Sequence, residues 1–243
     1  MKKLLLIAIS ICLFACDEKE NIELPSHLEG NLTIYSATDL ENPEIQAYKT
    51  INGNLTINNT YDIADLHQLK NLESVKGIFI KSNSQLKSLE GLEKLKTLEF
   101  LEIENNPALE SLHGLDNLES IEKSFRLYNN DAMENLEGLN SLSKINIQLF
   151  IFDNRSLHNL NGLNTLKEVP QLLIGNNINL TDITQLSSIT SSSDLRIDSN
   201  DSLSDFCSLT DFLKDNSEST SFIARQNKYN PSLEDMLNGR CSE

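Results

Sequence analysis

LEIENNPALESLHGLDNLESIEK (101–123), FRLYNNDAMENLEGLNSLSKINI (125–147) and LFIFDNRSLHNLNGLNTLKEVPQ (149–171) follow one another along the chain with their apolar residues in step. Outward from these three lines, one apolar column runs Ile34, Ile57, Ile80, Ile103, Leu127, Ile151, Ile174 and Ile197, at intervals of 23 or 24 residues. A step kept that regularly marks stacked structural repeats. Two residues earlier stand Leu32, Leu55, Ile78, Leu101, Phe125, Leu149, Leu172 and Leu195. Six residues later stand Leu40, Ile63, Leu86, Leu109, Met133, Leu157, Leu180 and Leu203.

Between these columns apolar residues return every third position, as at Leu112, Leu115, Leu118 and Ile121. On an α-helix such a stripe drifts around the surface, so an amphipathic helix is the wrong reading. Short extended segments joined by corners fit instead, and the Leu-x-Ile core of each repeat has strand alternation. One repeat cannot bury its own apolar residues, whereas stacked repeats share a continuous core. The pattern therefore predicts an all-β-dominated solenoid of about eight turns over residues 30–204, with a C-terminal cap over 205–243. At about 4.8 Å between strands such an array is a rod roughly 40 Å long.

Asn83, Asn106, Asn130, Asn154, Asn177 and Asn200 lie three positions after the isoleucine column, where a buried amide satisfies backbone groups at a bend. Gly91, Gly114, Gly138 and Gly162 mark a place where a side chain would hinder the conformation or the packing. The pattern frays over 41–50 and 187–193, as the ends of a solenoid do. In the cap, Ser221–Ala224 reads as a strand, and Pro231–Leu237 as a short helix with proline and acids in its first turn. Cys207 and Cys241 are expected to pair, and closing a loop of about 33 residues contributes roughly 3–4 kcal/mol.

LKTLEFLEIENN (95–106) and LESIEKSFRLYNN (118–130) resemble the Leu-x-x-Leu-x-Leu-x-x-Asn core of leucine-rich repeats, in which such asparagines form a ladder. The Leu-x-Gly-Leu-x-x-Leu stretches at 89–95, 112–118, 136–142 and 160–166 resemble receptor L domains more closely. The resemblance covers about residues 30–215 and implies a right-handed β-helix, a scaffold found in growth-factor receptors and bacterial surface proteins.

The first residues, MKKLLLIAISICLFA (1–15), place two lysines ahead of an apolar run that is too short to span a bilayer as a mature helix. They read as a secretory signal. Leu13-Phe14-Ala15-Cys16 resembles the lipobox of bacterial lipoproteins, which implies acylation at Cys16 and a tether over 16–29. Asp17-Glu18-Lys19-Glu20 is similar to the surface-export signal of Bacteroidetes lipoproteins, which implies the outer membrane and an outward-facing chain; a periplasmic location is the other reading. The lipid is the sole membrane anchor expected, and the chain is read as a monomer. A net charge of −16 repels nucleic acid and anionic membranes. Asp201-Ser202-Leu203 fits the O-glycosylation pattern of exported Bacteroidetes proteins, or else is simply a turn.

Function must lie on the faces of the repeats. The outward strand positions hold Phe79, Arg126, Tyr128, Phe150, Phe152 and Leu173, an aromatic cluster with a charged rim of the kind that recognises a protein or a glycan. A passive coat without a dedicated ligand is the competing class. The column His67, Glu90, His113, Glu137, Asn161 and Thr184 alternates histidine with carboxylate, but its histidines fall two turns apart and it is read as a polar ladder, not a metal site. Glu102, Glu104 and Arg126 have the composition of a β-helical lyase site without its paired-acid motif. No catalytic residue, metal or cofactor is nominated, and an enzyme is the remotest of the readings.

Overall fold

The computed structural model describes residues 23–243; the segment expected to carry the signal, Cys16 and the start of the tether lies outside the described residues. The apolar columns become strand registers. In chain order the strands are β1 (His27–Leu28), β2 (Leu32–Ile34), β3 (Thr50–Asn58), β4 (Ser74–Lys81), β5 (Thr97–Glu104) and β6 (Ser120–Tyr128). They continue with β7 (Lys144–Ile145), β8 (Gln148–Phe152), β9 (Gln171–Gly175), β10 (Asp194–Asp198) and β11 (Ser221–Arg225). Among the described residues these eleven strands form one open sheet in the order β1-β3-β4-β5-β6-β8-β9-β10-β11, with β2 also on β3 and β7 on β6. Every strand pair is parallel.

Ile57, Ile80, Ile103, Leu127, Ile151, Ile174 and Ile197 face one another across this sheet, and the line continues to Ala224 on β11. Leucine thus packs on leucine from repeat to repeat, and the buried apolar residues form one continuous cluster from Ile34 to Met236. The third-position leucines are inside as well: Leu112, Leu115 and Leu118 are all fully buried. Away from the strands, a second set of bonds ties neighbouring repeats together, in which Leu66, Leu89, Leu112 and Leu136 donate their N–H groups to the carbonyls of Glu90, His113, Glu137 and Asn161.

The corner after each strand has a fixed chemistry. Asn59, Ser82, Asn105, Asn129, Asp153, Asn176, Ser199 and Gln226 all adopt φ between 53° and 60°, the left-handed region that asparagine tolerates best after glycine. The next residue is the buried ladder. Asn130 Nδ2 donates to the carbonyls of Ile103 (3.1 Å) and Tyr128 (2.8 Å), while its Oδ1 accepts from the backbone N–H of Asn106 (3.2 Å). The same pattern runs from Thr60, which donates to Asn83, down to Asn227, which accepts from Asn200. Thr60 and Asn227 extend the ladder beyond the six asparagines expected. A methyl built on Gly138, at φ 109°, lands on the carbonyl of Leu112 in the preceding repeat, so both constraints foreseen for this column apply there.

The ends are closed by helices. Residues 41–50, without regular leucines, contain part of the pair α1 (Ala37–Leu40) and α2 (Pro43–Ala47), whose Leu40 and Ile45 pack on the first repeats. Asn42 caps α2 and Pro43 starts it. At the other end are α3 (Thr210–Asn216) and α4 (Leu233–Leu237). The latter falls within the expected segment with Glu234 and Asp235 in its first turn, but Pro231 precedes the N-cap Ser232 and lies outside the helix. The former was not expected, although Leu209, Phe212 and Leu213 have helical spacing and are all buried. Cys207 and Cys241 form the disulfide, with Cα atoms 4.8 Å apart. Phe206 N–H donates to the carbonyl of Cys241, seating the chain end on the last repeat.

Candidate functional site

The sheet turns one face inward, and its outward positions form columns across the strands. Five of the six proposed recognition residues come together on β6, β8 and β9. The Tyr128 and Phe152 rings stack with centroids 5.9 Å apart, and Phe150 meets Phe152 edge to face at 6.3 Å. The Arg126 guanidinium lies 5.9 Å from the Phe150 ring. Leu173 pairs in register with Phe150, and Gly175 with Phe152. Gly175 has no side chain to keep the Phe152 ring off its backbone, so the ring settles there.

These aromatics are less exposed than their sequence positions imply. Tyr128, Phe150, Phe152 and Leu173 are half-buried, and Arg126 alone of the five is exposed. Mutual stacking removes ring area from water. Burial pushes the Tyr128 phenol above its ordinary pKa, and the neighbouring carboxylates Glu102, Glu104 and Asp153 add to this against the pull of Arg126.

Phe79 stands apart from this group, on β4. It lines a cavity of about 200 Å³ together with Asn54, Phe100, Leu101, Glu102, Ser124 and Arg126. Arg126 therefore borders both the cavity and the aromatic patch. The hollow exists because the register column Asn54, Gly77, Phe100, Ser124 carries small residues on either side of one phenylalanine. A side chain on Gly77 would crowd Phe79, Phe100 and Asn54. This column was not among the sequence candidates, since the strands run one residue further than the Leu-x-Ile core that defines the repeat. Phe100, directly ahead of Leu101 on β5, was the available signal.

Charges around the hollow are mostly spoken for. Lys81 Nζ lies 2.7 Å from Glu102 and 3.5 Å from Glu104. Partial burial works against the Lys81 ammonium, but its hydrogen bond to Glu102 and the two negative charges outweigh this and raise its pKa. Lys123 pairs with Glu99 at 2.8 Å and sits over the Phe100 ring at 4.6 Å. Among the described residues, Arg126 makes no ion pair; its one charge contact is the Phe150 ring. The trio Glu102, Glu104 and Arg126 is thus split, with both carboxylates turned to Lys81.

The histidine column resolves into local contacts. His67 meets Asp65 at 2.8 Å and Glu90 at 3.5 Å, and the hydrogen bond its ring donates to the Asp65 carboxylate raises its pKa. His113 meets Asp116 at 3.2 Å. Among the described residues no three metal-binding side chains gather at one point, and no helix is long and apolar enough to cross a membrane. Ser202 Oγ donates to the carbonyl of Ile178 at 2.7 Å, which is a turn contact between repeats. No protein-family model matches this chain, and no curated protein is similar enough to it to count as a relative; the outward face is what its own residues offer as a site.

Proposed function

We propose that this chain is a cell-surface binding module. It is a β-solenoid of the right-handed, receptor-L-like kind, held to the outer membrane by lipid on Cys16, and it recognises a protein or a glycan with its outward sheet face. The parallel, in-register sheet supports the solenoid, as does the bonding between repeats away from the strands. One observation carries the function: Arg126, Tyr128, Phe150 and Phe152 make a contiguous aromatic and cationic patch beside a cavity, on a face that has no packing duty. Such a combination of aromatic rings and arginine is the composition of binding hot spots.

The test is capture of partners from surface extracts by the full chain, compared with Phe150→Ser/Phe152→Ser. These side chains lie outside the core, so the double variant is expected to keep its fold by circular dichroism and to lose the partner. Unchanged capture would rule out this face. A passive coat protein is the second reading, favoured by the net charge of −16, and it predicts no saturable partner for either form.

A further inference from the structure

The cavity on β4–β6 narrows the choice between protein and glycan, and this inference rests on the binding-face reading above. Its volume, about 200 Å³, is below the ~300–1,000 Å³ typical of small-molecule pockets. It is the size of one side chain. Phe79 and Phe100 wall it and Leu101 also lines it, and a side chain on neighbouring Gly77 would press on both phenylalanines. Its carboxylate, Glu102, is already matched by Lys81 at 2.7 Å. Arg126 is the cation at the rim with no acidic partner among the described residues, and its fork of donors is suited to a carboxylate. A saccharide ring would set several hydroxyls against two phenyl walls. An apolar side chain matches those two walls and leaves the Asn54 amide at the cavity's edge for the polar backbone beside it.

We infer that the partner is a protein, and that it inserts one leucine-sized apolar side chain between Phe79 and Phe100 while an adjacent carboxylate engages Arg126. The aromatic patch of Phe150, Phe152 and Tyr128 then receives the surface around this anchor. The half-buried rings need no rearrangement to do so, which keeps the entropic cost of association low.

N-acetyl-leucine is the minimal probe, because it carries both groups. Titrated into the isotopically labelled full chain, it is expected to give saturable amide shifts centred on Gly77, Phe100 and Ser124. N-acetyl-leucinamide, without the carboxylate, should bind about tenfold more weakly, and so should N-acetyl-leucine to Arg126→Gln. N-acetylglycine should leave the cavity silent. Equal binding of acid and amide would overturn the role of Arg126. Tighter binding of methyl glucuronide than of N-acetyl-leucine would overturn the protein partner in favour of a glycan. If N-acetyl-leucine gives no saturable shift while Phe150→Ser/Phe152→Ser still loses its partner, the face stands and this occupant falls. If capture too is unaffected, both fall.

Discussion

Asn130 shows how much one side chain carries in this fold. It is fully buried, and it satisfies the carbonyls of Ile103 and Tyr128 together with the N–H of Asn106. An orphaned buried polar group costs about 1–3 kcal/mol. Asn130→Ala strands groups in two repeats at once and is expected to destabilise by about 3 kcal/mol, read as a lower urea midpoint with an unchanged slope. A loss no larger than that of an exposed Asn→Ala change would show that water can replace the ladder. The six inner asparagines were legible because one residue type recurs at one phase. Thr60 is a different residue, and Asn227 follows an interval that widens to 27 residues, so neither declared itself. The left-handed corner was invisible for a related reason. Asn, Ser, Asp and Gln all occupy it, and what they share is a backbone angle, not a side-chain chemistry.

At the scale of elements, the strands follow from apolar alternation, whereas the cap depends on contacts that alternation does not encode. In α4 the Ser232 hydroxyl accepts from the Asp235 N–H, and the Asp235 carboxylate accepts from the Ser232 N–H and hydroxyl and from Arg240. The hydrogen bonds from Ser232, then that from Arg240, lower the Asp235 pKa from 3.8 to about 2. A depressed carboxylate stabilises above its unfolded value and loses that contribution as pH falls through its folded one. An NMR titration should therefore place the Asp235 midpoint near 2, and the cap should loosen between about 4 and 2. A midpoint at the ordinary aspartate value would refute the capping arrangement. The disulfide acts on the same element over a sequence separation of 34. Its removal in Cys207→Ser/Cys241→Ser should cost roughly 3–4 kcal/mol, measured as a lower thermal midpoint under non-reducing conditions. An unchanged midpoint would mean that Phe206, Met236 and the packing around them already hold the cap closed. Its helix α3 escaped the sequence reading because seven residues at helical spacing are too few to stand out beside an array of every-third leucines. Phe100 escaped for the opposite reason. It lies in a strand that was correctly expected, one position outside the alternation used to define it.

At the scale of the molecule, the repeat architecture and the proposed anchor make separate claims. The sheet is a property of residues 23–243, whereas attachment would depend on Cys16 alone. Cys16→Ser is accordingly expected to release the chain from the membrane fraction and abolish incorporation of labelled fatty acid, without altering the far-ultraviolet spectrum. A variant that still sediments with membranes and still takes up the label would end the lipoprotein reading.

The register of the sheet has one more consequence, and it concerns time. Large parallel sheets usually fold slowly, because distant segments must find each other before any bond forms. Here no paired strand residues are separated by more than 27 positions, so closing each repeat costs nearly the same modest loop entropy as closing the last. Once two neighbouring repeats have zipped together, each further one adds to a template already in place, and assembly can advance along the chain in the order in which it is synthesised. The geometry that gives the protein a long outward face thus also lets it complete that face in short, equal steps.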